Sequence, residues 1–223
     1  MATPRIALIA LVVLLTGTAQ AAAQTEPQKS PAQTPDPNPT RMFFAPTARS
    51  LPKGTGHFGS YEIFLPNIQF GITDRFSMGG GTFLVFGGGV EHPMWVTPKL
   101  QIVASKELDV AVGTMHFFGI DDLNGGIAYA VATHGPPDGA VTAGVGWAYS
   151  GKNVGSAVIM LGGERRMSPR TKFITENYVS TKTGRGVLMY GIRFMEGQLA
   201  ADFHLVTPFG ESDLITFPSL NFT

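Results

Sequence analysis

The sequence predicts an all-β chain, an antiparallel up-and-down transmembrane β-barrel of about 10–12 strands, with twelve the favoured count. Three observations carry this. From Gly56 to Thr223 the residues alternate with period two, not 3.6. Turn residues break that alternation into runs of roughly 10 residues, the length of a tilted membrane-crossing strand. Charged residues make up only 14% of the chain, against about a quarter in an average soluble domain.

The chain opens on a targeting pattern. Arg5 precedes an apolar run, Ile6 to Leu15, and small residues follow. The run is too short to cross a bilayer as a helix, and Ala19-Gln20-Ala21 and Ala21-Ala22-Ala23 both fit a cleavage site. Residues 1–23 therefore read as a secretory signal peptide. Residues 24–40, QTEPQKSPAQTPDPNPT, are dense in Pro, Gln and Thr. Pro fixes φ and removes a backbone donor, so this segment reads as a disordered tether ahead of a barrel domain, 41–223. The chain has no cysteine, which excludes disulfides, Cys-ligated zinc, a thiol nucleophile and a lipid-modified cysteine. A formal net charge of zero, from 16 basic and 16 acidic residues, argues against a nucleic-acid partner. No segment after the signal reaches the ~18 consecutive apolar residues of a membrane helix.

The strands follow in order. The turn Thr73-Asp74 leads into SMGGG, where glycine suits a bent or closely packed strand. Three glycines also occur in phosphate loops, but neither Lys-Ser/Thr nor a helical pattern follows. Next, Leu108, Val110 and Val112 oppose Asp109, Ala111 and Gly113. Ile127, Tyr129 and Val131 oppose Ala128, Ala130 and Ala132. Val141, Val145, Trp147 and Tyr149 oppose Thr142, Gly144, Gly146 and Ala148. Leu188, Tyr190, Ile192 and Phe194 oppose Met189, Gly191 and Arg193, and Leu199, Phe203 and Leu205 oppose Asp202 and His204. Further turns are expected at Lys106-Glu107, Pro136 to Gly139, Pro169-Arg170, Lys182 to Gly186 and Glu196-Gly197. About eleven runs emerge between His57 and Phe222; bacterial single-chain barrels are even-numbered, and Arg41 to Leu51 is a candidate for the twelfth strand. One face is large and apolar, the other small or polar with little charge. Lipid outside and a crowded lumen inside suit that division, and aromatics such as Phe76, Trp95, Phe173 and Phe194 suit interfacial girdles.

FFAPTARSLPKGTGHFG and FGITDRFSMGGG, then WVTPKLQI, GIAYAVATHG and FITENY in that order, resemble segments of a family of uncharacterised bacterial outer-membrane β-barrel proteins. The resemblance spans nearly all of 41–223. It implies a bacterial outer-membrane location, export through the cleaved signal, and as partners the lipid bilayer and the barrel-insertion machinery. It assigns no activity and no functional residue. Outer-membrane chains usually end on an aromatic residue, whereas here Phe222 is penultimate and Thr223 last.

Candidate chemistry lies on the small-residue face: Lys99, Gln101, Asp109, Glu164, Lys172, Glu176, Arg193, Asp202 and His204. In a narrow lumen such acids and bases pair into a structural plug; the alternative is a polar path or binding place for a small solute, a porin-like role. Asp202 and His204, two apart on one face, also admit an enzyme acting on lipids. No Gly-x-Ser-x-Gly supports that reading, and Ser156, Ser168 and Ser180 stand at run ends. The five histidines, His57, His92, His116, His134 and His204, show no ligand spacing, so no metal or other cofactor is expected. A third reading is a soluble periplasmic barrel that binds an apolar ligand, with the faces inverted.

Overall fold

The computed structural model describes residues 33–84, 93–119, 124–210 and 215–223. The signal-peptide reading and most of the Pro-rich segment, 24–32, lie outside these residues, as does the second glycine triplet, 87–89. The described chain is all-β. Its strands are β1 (Gly56–Tyr61), β2 (Leu65–Gly71), β3 (Phe76–Thr82), β4 (Met94–Val96), β5 (Lys99–Ala104), β6 (Leu108–Phe118) and β7 (Gly125–His134). The second half adds β8 (Gly139–Ser150), β9 (Asn153–Ser168), β10 (Thr171–Ser180), β11 (Gly186–Glu196), β12 (Leu199–Phe209) and β13 (Phe217–Phe222).

Each strand pairs antiparallel with its neighbours, and β1 closes the circle on β13 through Ser60–Phe222 and Tyr61–Asn221. β4 and β5 share one position. Both pair with β3 on one side and β6 on the other, and the break between them falls at Thr97-Pro98, where Pro98 has no N–H for the ladder. Thirteen strands thus fill twelve places of a closed barrel. The turns 72–75, 105–107, 135–138, 169–170 and 197–198 lie together at one end, on the expected turn residues. The other end carries the turns 62–64, 151–152 and 181–185.

The large apolar residues face outward. Phe58, Phe70, Ile159, Leu161, Phe194 and Phe203 all stand on the outer surface, Phe58 being 68% exposed. On β11 the division is as expected: Leu188, Tyr190, Ile192 and Phe194 are exposed, while Met189 and Arg193 are buried. β7 is the exception. Val131 and Thr133 are buried, as is Ala111, the register partner of Val131, so Tyr129 and Val131 point inward and the alanines outward, opposite to the expected assignment. The reason is space. Gly113 and Gly144 flank β7 on the inner face; a Cβ on Gly113 would meet the Tyr129 hydroxyl, and one on Gly144 would stand 2.7 Å from Val131 Cγ1.

The glycines of SMGGG do similar service within β3. Trp95, buried on β4, lies over Gly81. Gly81→Ala would drive a Cβ into the Trp95 ring at Cζ2 and place it 2.5 Å from the Pro66 carbonyl oxygen. The expected cost is about 1–3 kcal/mol of overpacking, read as a lower temperature at which the compact gel band of the folded barrel is lost.

Arg41 to Leu51 is not a strand. Its one bridge is Arg41–Pro46, and the surrounding segment, 33–55, forms a strap inside the barrel. The strap enters at the tight-turn end, where Thr34 donates to the Pro169 carbonyl, and leaves there, where Gly54 and Thr55 bond Gly71. Between these points it folds back on itself, Met42 bonding Ala45 and Thr47 bonding Thr40. Prolines 35, 37, 39, 46 and 52 supply no amide hydrogens, which keeps the strap out of the wall. The principal apolar core forms here: Met42, Phe43, Ala45 and Ala48 pack on Val131, Met160, Ile174, Met189 and Val206 of the inner wall. Burying Met42 and Phe43 completely contributes on the order of 2–3 kcal/mol each. Asn38 and Thr40 are buried as well, so the tether reading does not extend to residues 36–40.

Candidate functional site: a charged lumen closed around the strap

Strand alternation turns Lys99, Glu164, Lys172, Glu176, Arg193, Asp202 and His204 inward, and all seven are buried. The structure brings them together around the strap. Asp109 also faces inward but lies apart, near the tight-turn end of β6, where it accepts a hydrogen bond from Gln101 Nε2 at 2.9 Å.

Glu176 makes the most specific contact. Its carboxylate accepts three consecutive strap amides, Phe43 at 2.8 Å, Phe44 at 3.1 Å and Ala45 at 3.0 Å, and the Tyr178 hydroxyl at 2.5 Å. Consecutive amides at a tight bend form an anion-binding concavity, and here the barrel wall supplies the anion. Lys99 does the reverse: its ammonium donates to the carbonyls of Thr40, Thr47 and Arg49 at 3.2, 3.1 and 2.6 Å. The wall therefore grips the strap largely by its backbone.

Arg193 ties wall to strap. It forks onto Asp202, Nε to Oδ1 at 2.6 Å and Nη2 to Oδ2 at 2.9 Å, and reaches Asp36 at 3.1 Å and the Asn38 and Met42 carbonyls at 2.8 and 2.7 Å. Lys172 joins Asp36 at 2.5 Å and Glu164 at 2.8 Å, and Arg49 meets Glu164 at 2.5 Å. Each buried carboxylate thus has a cation or a set of amides opposite it, which offsets the desolvation that burial costs. His204 packs flat against Phe43, ring centroids 4.1 Å apart, with Phe44 edge-on at 5.5 Å. Neither of its ring nitrogens has a hydrogen-bond partner.

Asp36, Arg41 and Arg49 join this buried charge network, and strand periodicity does not reveal them, because they precede the alternating region. Their one sequence signal is charge within a run of Pro, Thr and Ala. Burial alone would push the Asp36 carboxyl up, but Arg193 and then Lys172 hold it down, from the ordinary 3.8 to about 2. Because the folded value is the lower one, this stabilisation is fully present above pH 4. It is lost as pH falls from about 4 towards 2, and amounts to about 2 kcal/mol. The expected result is a strap whose amide-exchange protection weakens over that window in the natural chain and not in Asp36→Asn.

The geometry does not assemble a hydrolytic triad. Asp202 is locked by Arg193, His204 is unpaired between strap aromatics, and Ser168 bonds Thr171 at the 169–170 turn. Among the described residues no three His, Asp or Glu side chains gather as a metal-binding group. In comparisons with known protein families, curated proteins and solved structures, nothing matches the chain.

Proposed function

We propose that the chain is an exported bacterial outer-membrane β-barrel that crosses the bilayer with its twelve strand positions and is sealed by its own strap. In this reading it belongs with the uncharacterised outer-membrane barrels that its sequence resembles. The bilayer and the insertion machinery are its partners, and small solutes pass or bind only when the strap yields. One observation carries the reading: apolar residues cover the outside of a closed sheet while a cluster of charges is buried within, the reverse of a water-soluble barrel. A soluble barrel with an apolar ligand needs Phe70, Leu161, Phe194 and Phe203 in its cavity, and they stand on the outer surface. The test is gel mobility of membrane-fraction protein in detergent, heated against unheated. Membrane fractionation with a heat-dependent shift is expected; a soluble, unshifted protein would overturn the reading.

A further inference from the structure

Beside the strap lies a cavity of about 50 Å³ lined by Arg41, Tyr61, Asn67, Gln69, Trp95 and Tyr129 among others. It has room for a few waters or for one small anion. Its lining is rich in donors. Thr40 Oγ1 donates to Asn38 Oδ1 at 2.8 Å, with Gln69 Oε1 farther off at 3.2 Å, and Gln69 adds a side-chain amide to the lining. Asn67 spends one amide hydrogen on the Leu65 carbonyl at 3.3 Å and keeps another. Trp95 brings an indole N–H, and Tyr61 and Tyr129 bring hydroxyls. No carboxylate lines the cavity.

Charge points the same way. Arg41 is 4% exposed, and its Nε has no partner. The nearest acid that it pairs with, Asp202 at 3.7 Å, is already held by both arms of Arg193. Lys99, which grips the carbonyl of the cavity-lining Thr40, meets only carbonyl oxygens among the described residues. Asp109 lies six residues along β6 from Met115 of the cavity, roughly 20 Å away. On this side of the lumen Arg41 has Asp202 at 3.7 Å and the Phe44 amide is held by Glu176, yet neither carboxylate lines the void, and Arg41 Nε stays unpartnered.

We propose that the cavity binds one small monovalent anion of the halide class, held by Arg41 and the surrounding amide, indole and hydroxyl donors. The site needs only the closed barrel with its strap seated, so it stands apart from the question of the membrane.

Trp95 and Trp147 are the two tryptophans of the chain. Trp147 faces outward, so Trp147→Phe leaves Trp95 as the reporter beside the site. Iodide is titrated into this full-length variant in detergent, at constant ionic strength set with gluconate, an anion too large for the cavity. A buried indole is poorly reached by collision, so the expected result is quenching that saturates and is relieved by chloride. Quenching that is absent, or linear in iodide and indifferent to chloride, would overturn the proposal. Arg41→Gln is expected to weaken iodide at least about tenfold, the worth of one charge-assisted hydrogen bond. Arg41 also secures the strap through the Phe43 carbonyl and Thr223. Asn67→Leu therefore serves as a second variant, filling the cavity from β2 and leaving those contacts in place. It is expected to abolish saturation, and an unchanged titration in both folded variants would equally sink the site.

Discussion

Glu176→Ala is expected to release the strap while leaving the barrel standing. The carboxylate is fully buried and serves as the single acceptor for three strap amides and the Tyr178 hydroxyl. Its removal strands four buried donors at once, each costing about 1–3 kcal/mol if it stays unsatisfied. The strap can escape that cost by leaving, because the wall ladders of β10 to β9 and β11 do not depend on the side chain. Unseating should forfeit the burial of Met42 and Phe43, about 2–3 kcal/mol each. Two measurements check it. Trypsin should cut after Arg41 and Arg49, which are protected in the natural chain by burial, while the heat-dependent gel shift persists. In a planar bilayer the natural chain should conduct little and the variant markedly more. A strap still protected from trypsin in Glu176→Ala would show that the apolar tip alone holds it. Glu176→Gln should fall between the two, since its amide oxygen still accepts but its NH₂ faces the same donors.

The wall was largely legible in the sequence and the strap was not. Lys172, Glu176, Arg193 and Asp202 interrupt apolar alternation on a fixed parity, so strand periodicity alone turns them inward, and burial bears this out. The turns were legible because Pro, Gly, Asp and Lys cluster where the chain must reverse. Two things resisted. On β7 the inward residues are the large ones, because Gly113 and Gly144 across the register make room for them, and register is a property of neighbouring strands that a single run does not display. The strap resisted for a different reason. Its recognition runs through backbone groups of Thr40, Met42, Phe43, Phe44, Ala45, Thr47 and Arg49, which every residue carries, so no residue type announces it. The Pro-rich composition of 24–40 suits a solvated spacer as well as a strap, and the buried partners of Asp36 lie more than a hundred residues away.

Arg193→Leu is expected to be the most damaging single change in the lumen wall. The guanidinium is fully buried and its three nitrogens are all engaged: Nε and Nη2 with Asp202, Nη2 also with the Met42 carbonyl, and Nη1 with Asp36 and the Asn38 carbonyl. Leucine fills part of the volume but leaves Asp202 with Arg41 at 3.7 Å and Asp36 with Lys172 alone. Breaking one side of such a buried pair costs about 3–5 kcal/mol, chiefly through the charge that is left behind. That origin separates two explanations. If the loss reflects stranded carboxylates, Arg193→Leu combined with Asp202→Leu should recover a substantial part of it, since replacing both members of a buried pair by apolar groups is often close to neutral. If it reflects lost packing of the long side chain, the double variant should be worse than either single one. A double-mutant cycle on the heat-dependent gel shift, read as midpoint temperature, distinguishes the two, with a coupling of about 1–3 kcal/mol expected for residues in direct contact. Asp36→Asn added to Arg193→Leu should give a smaller rescue, because Lys172 remains 2.5 Å from that carboxylate and already neutralises it. The order of rescue, Asp202 before Asp36, follows from the geometry: a two-armed fork on the wall, against a charge on the strap shared between two cations.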